Sequence, residues 1–195
     1  FCPQSKADLE NAIDLRLELC PDGDCPADAG DVHGPIGEWD VSRITDMSGM
    51  FTRATSFIGD ISKWDVSRVT DMNRMFSNAR VFNGDLSKWD VSSLTNMGAM
   101  FQDALVFNGD ISKWDVSRVK DMPSMFMGAK AFSGDISKWD VSSVAHMNAM
   151  FQNAAAFNCD ISEWDISNVL NMYGVFKNAA AFNGDLSKWD VSGVL

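Results

Sequence analysis

Hydrophobic and polar positions recur along this chain with a period of 25 residues. The unit is clearest from Ile61 to Asp85, and Trp39, Trp64, Trp89, Trp114, Trp139, Trp164 and Trp189 mark it without insertion or deletion. A fixed period in this range predicts a solenoid. Each unit carries an apolar face too large to bury alone, so successive coils must stack and share one continuous core, with the seven tryptophans as its ladder.

Each unit divides into halves with different local periods. In Lys63-Trp64-Asp65-Val66-Ser67, apolar and polar residues alternate, which predicts a short half-buried strand with Trp64 and Val66 inward. In Met72, Met75, Phe76 and Ala79 the spacing is i, i+3, i+4, i+7, continued by Phe82, which predicts a short helix. Asp46, Asp71, Asn96, Asp121, His146 and Asn171 precede that stripe as N-cap residues. Asn-Gly pairs such as Asn83-Gly84 then turn the chain toward the next strand. The expected fold class is α/β: a leucine-rich-repeat-like solenoid with one short parallel strand and one short helix per 25-residue coil, and an N-terminal helical cap.

Residues 1–38 depart from the repeat and read as that cap. Ser5 to Asp8 resembles a capping box, and Leu9, Ala12, Ile13 and Leu17 form an apolar stripe, giving a helix over about 5–19 followed by a cysteine-containing loop. Residues 39–195 hold six repeats and a partial seventh, Trp189 to Leu195, that has no helix of its own. The chain opens on Phe1 rather than Met, as a processed form would.

Composition narrows the functional classes. All 12 methionines and every phenylalanine but Phe1 lie on the repeat's second half or its flank, so the apolar content is repeat core. A formal net charge of −11 argues against nucleic-acid binding, which requires clustered Lys and Arg. No apolar run is long enough to span a membrane.

The phrase W-D-V-S-x-V-T-D-M-x-x-M-F-x-x-A-x-x-F-N-G-D-I-S, approximated from Trp39 to Ser62 and in each later unit, resembles the repeat of BspA-type leucine-rich surface proteins. The resemblance covers about 34–195. It implies an α/β solenoid at a cell surface, non-enzymatic, with adhesion or matrix roles. The family offers no catalytic motif to carry over. Cys159 at a glycine position, His146 at a cap position and Gly193 with Leu195 at the end depart from the pattern.

Candidate chemistry is sparse. His33 and His146 lie in the cap and about four coils away, so no catalytic pairing forms, and no enzyme activity or cofactor is expected. Asp22, Asp24, Asp28 and Asp31 make an acidic loop, a candidate calcium site or a solvated turn, although Pro26 and Ala27 break the EF-hand pattern. An outward column runs Asp40, Asp65, Asp90, Asp115, Asp140, Asp165 and Asp190, beside Lys63, Lys88, Lys113, Lys138 and Lys188 interrupted by Glu38 and Glu163. At a strand spacing of about 4.8 Å, neighbouring carboxylates repel by roughly 1 kcal/mol in water, so the column requires compensation. Lysines and serine hydrogen bonds supply it on one reading, and a bound cation or basic partner on the other. Asp60, Asp85, Asp110, Asp135, Asp160 and Asp185 read as turn residues.

Four cysteines point to an oxidising compartment. Cys20 and Cys25 bracket a turn and can join. Cys2 and Cys159 are expected far from the other thiols. They stay unpaired, Cys2 folds back, or they form an inter-subunit disulfide. At the C-terminus, Trp189, Val191 and Val194 are expected to form an uncovered seventh edge strand. The expected function is therefore a secreted or cell-surface structural solenoid that joins a filament or matrix by self-association, or with another subunit, through its uncapped C-terminal coil. The alternative is a stand-alone adhesion or ligand-binding module using the strand face.

Overall fold

The computed structural model describes residues 1–25, 30 and 32–195. Numbered from each tryptophan, coil 1 is 39–63, coil 2 is 64–88, and so on to coil 6 at 164–188, with 189–195 opening a seventh. Before them lies α1 (Lys6–Leu19). The Ser5 hydroxyl accepts from Asp8 N at 3.1 Å to start it, and Leu9, Ala12 and Ile13 sink into the common core. Lys6 Nζ reaches Asp46 Oδ1 at 3.0 Å, which fastens the helix to coil 1.

The strand and helix expected in every coil are not there. Among the described residues α1 is the only α-helix, with a single 3-10 turn at Ile36–Glu38. The coils meet through isolated parallel bridges, Asp46 to Asp71, Asp71 to Asn96, Asn96 to Asp121, Asp121 to His146 and His146 to Asn171, which never extend into a sheet. The α/β leucine-rich-repeat-like reading is thereby corrected. The molecule is a stack of coils built from turns.

The hydrogen bonds of coil 2 give the physical reason. Met75, Ser77 and Ala79 donate to the carbonyls of Met72, Arg74 and Phe76, each three residues back. The intervening Met72, Arg74, Phe76 and Asn78 donate instead to Asn96, Gly98, Met100 and Gln102 of coil 3, at 2.7–3.0 Å. A helix would keep all these N–H groups within its own segment. Here every second one leaves it. Arg74 and Asn78 have φ of 58° and 61°, each at the third position of its turn, as a type II turn requires.

Every coil repeats this geometry. Gly49, Arg74, Ala99, Ser124, Ala149 and Gly174 occupy the first left-handed column, and Arg53, Asn78, Asp103, Gly128, Asn153 and Asn178 the second. Two left-handed residues per segment exclude a helix, yet the turns keep its burial pattern: Met72, Met75, Phe76, Ala79 and Phe82 are all fully buried.

The first half of each coil is likewise made of turns. Trp64 N donates to Ile61 O and Val69 N to Val66 O. Trp64 and Val66 point inward as expected, but the backbone between these turns makes no ladder. Gly84 owes its place to space, because a Cβ there would sit 2.9 Å from the Phe82 ring.

Aromatic side chains fill the interior in register. Within coils, Phe101 stacks on Phe107 at 3.8 Å and Phe126 on Phe132 at 3.9 Å; between coils, Phe76, Phe101, Phe126 and Phe151 follow one another at 5.6–5.8 Å. Of the tryptophan ladder, Trp39, Trp64, Trp89, Trp114, Trp139 and Trp164 are buried, and Trp189, which no complete coil covers among the described residues, is only partly so. Trp114 stacks on Trp139 with ring centroids 6.5 Å apart. From Trp64 onward each indole N–H donates to a carbonyl 28 residues earlier: Trp89 to Ile61 O at 3.2 Å, Trp114 to Leu86 O at 3.0 Å and Trp139 to Ile111 O at 3.1 Å show the pattern. The indole thus fills its own coil and fastens it to the backbone three residues before the preceding tryptophan. The tryptophans were expected on the inner face of strands; they sit there, but on turns.

Two outcomes test this architecture. Trp114→Ala should destabilise the fold by about 3–5 kcal/mol in chemical denaturation, as truncating a buried aromatic does, while Ser117→Ala on the outer surface costs far less. Ala149→Gly discriminates turn from helix by sign. At φ 55° it should leave stability unchanged or raise it by up to about 1 kcal/mol, whereas within a helix it would cost about 1 kcal/mol.

Candidate functional site

Two surfaces set this molecule apart from a uniformly solvated stack: the carboxylate columns along its side and the apolar face at its C-terminal end. The side columns rest on Asp-x-Ser turns. Asp115 Oδ1 accepts from Ser117 N at 3.1 Å and from Ser117 Oγ at 2.6 Å; Asp90 with Ser92 and Asp140 with Ser142 do the same. In the second column Asp110 accepts from Ser112 N at 3.0 Å and from its Oγ at 2.7 Å. Sequence reasoning found the aspartates but assigned part of their compensation to lysine. The serine hydrogen bonds it also named are the ones present, from the residue two positions on in a side-chain-to-backbone turn.

These bonds favour the charged carboxylate. The Ser117 hydroxyl, followed by its backbone N–H, holds the Asp115 carboxyl below its ordinary range; Ser92 does so for Asp90, and Ser112 for Asp110 with a smaller contribution from Lys113. Lysine pairing is local: Lys188 bonds Glu163 on the preceding coil. One oxygen of each bonded carboxylate is thus already engaged, and among the described residues no cluster of three or more acidic, His or Cys side chains has the arrangement to hold a metal ion.

The bridge column carries a second set of contacts. Asp71 Oδ1 accepts from Asn73 N at 2.7 Å, so the expected cap residue closes a turn rather than a helix. Asn96 Nδ2 donates to Asp71 Oδ2 at 3.1 Å, and His146 Nδ1 lies 2.7 Å from Asp121 Oδ1. His33 belongs elsewhere, with its ring 4.2 Å from Phe1 and 5.8 Å from Trp39. The structure does not bring the two histidines together.

In the acidic loop, Asp24 N donates to Asp22 Oδ1 at 3.0 Å, and Asp28 and Asp31 lie outside the described residues. Cys20 and Cys25 form a disulfide, with Cα atoms 5.4 Å apart. Buried Arg16 holds the adjoining chain by donating to Gly23 O at 2.9 Å and Gly34 O at 2.8 Å. Cys2 and Cys159 are free thiols. Cys2 lies 3.5 Å from Asp40 Oδ2, while Cys159 accepts from Ile136 N at 3.3 Å, and partial burial pushes its thiol pKa up. A raised pKa leaves less thiolate for disulfide exchange.

At the C-terminal end, residues whose equivalents one repeat earlier are buried come to the surface. Met172, Val175, Phe176, Phe182, Leu186 and Trp189 are only partly buried, whereas Met147, Met150, Phe151, Phe157, Ile161 and Trp164 are at most 5% exposed. Val191 is 54% exposed and Val194 closes a turn onto Val191 O. The expected edge is therefore an open coil face rather than a seventh strand. Of its residues, sequence reasoning named Trp189, Val191 and Val194 and missed the coil 6 side chains. Counting coils was the available signal, because no complete coil follows the sixth among the described residues.

Residues 26–135 and 106–195 each match the sequence model of one family, described as "Mycoplasma protein of unknown function, DUF285". The two matches overlap, as coils of the same period allow. No curated protein and no solved structure matches the chain.

The carboxylate turns generate a pH dependence. Because Asp90, Asp110 and Asp115 hold their protons less tightly folded than unfolded, their contribution is complete above the ordinary value of 3.8 and is lost as pH falls below it. Thermal melts should be level from about pH 7 to about pH 5 and decline below about pH 4. The combined Ser92→Ala and Ser117→Ala variant should show a shallower decline, and an unchanged decline would refute the assignment.

Proposed function

We propose that this chain, which belongs to the DUF285 family, is a non-enzymatic structural subunit at the cell surface or outside the cell that joins a filament or matrix through its C-terminal end. The observation that carries this reading is the inequality of the two ends. Among the described residues the first coil lies under α1, with Leu9, Ala12 and Ile13 in the core, whereas coil 6 leaves Phe176, Phe182 and Trp189 partly open. An apolar end face of this kind favours association, and a contact between unlike surfaces propagates.

The Cys20–Cys25 disulfide supports an oxidising location, as does the resemblance of the repeat to BspA-type surface proteins. A Cys2–Cys159 bridge between subunits belongs to the same reading. A second reading, a stand-alone adhesion module, is favoured by the regular exposed columns of aspartate along the side, which present one chemistry over several coils.

Light scattering and electron microscopy of the purified chain separate the two. Assembly predicts concentration-dependent growth into filaments or sheets that Val191→Glu suppresses, and non-reducing electrophoresis scores the disulfide with Cys2→Ser and Cys159→Ser. A monodisperse monomer at high concentration would contradict the assembly reading.

A further inference from the structure

Charge is unevenly shared around each coil. The Met-to-Phe segments, 47–57, 72–82, 97–107, 122–132, 147–157 and 172–182, hold five of the chain's 16 lysines and arginines but only one, Asp103, of its 27 acidic residues. On a molecule of net charge −11 this flank is the basic side. Arg53, Arg74, Arg80 and Lys130 are exposed on it, and none makes an ion pair or a side-chain hydrogen bond among the described residues. The flank also carries apolar side chains that the core does not use. Val81 and Val106 are 43% and 44% exposed, with Leu105 and Ala131 half-buried beside them, where Ala131 N donates to Leu105 O at 3.2 Å.

The opposite charge borders this strip. Along coil 2 the surface residues follow in the order Arg80, Val81, Asn83 and Asp85, and coil 4 repeats it with Lys130, Ala131, Ser133 and Asp135. Asp85, Asp110 and Asp135 each give Oδ1 to the serine two residues on, while Oδ2 makes no hydrogen bond among the described residues. The other column, Asp90 to Asp140, suits a cation less, because it runs between the lysine column and Arg68 and Arg118.

Charge complementarity selects the occupant. Two unpaired cations two coils apart call for carboxylates at the same separation, and Asp85 and Asp135 of a second copy have it, because both sets ride on one 25-residue repeat. A two-fold axis parallel to the stack sets Arg80 and Lys130 of each copy against Asp85 and Asp135 of the other. It leaves Val81 and Val106 of both copies together between them. Asp110 then lies one coil, about 4.8 Å, from each cation, within the span of either side chain. Such a contact is isologous and closes as a pair. A flexible acidic polymer would meet the charges and leave the valines in water.

We infer that the strip from Arg80 to Lys130 on coils 2–4 is a lateral interface with a second copy of this chain, its cations paired with the Asp85, Asp110 and Asp135 column. The inference rests on the reading of the chain as a self-associating subunit and adds a contact in which the C-terminal coil takes no part.

The Val191→Glu chain, with its end contact suppressed, isolates the lateral one. Analytical ultracentrifugation should show a concentration-dependent equilibrium between monomer and dimer. Arg80→Glu with Lys130→Glu should weaken the dimer by at least about tenfold, and so should Asp85→Asn, Asp110→Asn and Asp135→Asn together, which keep an oxygen for each serine. Thermal melts check that both variants fold. Carbodiimide coupling of mixed isotope-labelled and unlabelled chains should join Lys130 of one to Asp110 or Asp135 of the other. A Val191→Glu chain that stays monomeric at every concentration would overturn the inference, as would a dimer indifferent to either set of changes or cross-links confined to one label. Binding of polyglutamate to a chain that stays monomeric would place an acidic polymer on the strip and overturn it as well. Filament growth is scored on the unchanged chain, so each of these results leaves the end contact standing, and a dimer without filaments fails the end contact alone.

Discussion

Every second backbone N–H of the Met-Phe segment points along the stack, and this alternation governs the rest of the structure. The N–H groups that stay local close four-residue turns, and those that leave bind the next coil, as Phe101 N binds Met125 O at 2.9 Å. Buried backbone donors must find acceptors. A helix would satisfy them within one segment and leave nothing to join the coils. An extended strand would send all its ladder groups outward and could not make the bends that return the chain every 25 residues. The turn-built segment does both, at the cost of two left-handed residues in every coil.

Side chains follow from that backbone. Because each coil repeats the last in register, the same residue type falls at the same place, and the phenylalanines stack on their own equivalents, as Trp114 does on Trp139. The same register lines up like charges on the outside, where it would be unfavourable if the carboxylates stood free. The serine two residues after each bonded aspartate relieves this, giving a hydroxyl and a backbone N–H to one oxygen while closing a turn the fold needs. The aspartate columns are thus explained by local geometry.

Burial was legible in the sequence and backbone conformation was not. Trp64, Val66, Met72, Met75, Phe76, Ala79 and Phe82 all point inward, as their spacing implied. Spacing reports direction, however, and a run of hydrogen-bonded turns can place residues i, i+3, i+4 and i+7 inward as a helix does. The missing distinction lay in Asn78, Asp103, Gly128, Asn153 and Asn178, a column of residue types that tolerate positive φ, recurring where a helix would have its middle. The first left-handed column hid the signal, since it holds Arg74, Ala99, Ser124 and Ala149, which the stacked coils hold in a conformation they seldom adopt. The capped helix at the N-terminus was readable because Ser5, Asp8 and the apolar stripe are local signals.

The most direct measurement is scalar coupling across individual hydrogen bonds, by nuclear magnetic resonance. The turn-built stack predicts coupling from the Phe101 amide nitrogen to the carbonyl carbon of Met125, and from Met100 to Met97. Coupling from Phe101 to Met97, four residues back as in a helix, with none to Met125, would contradict the account.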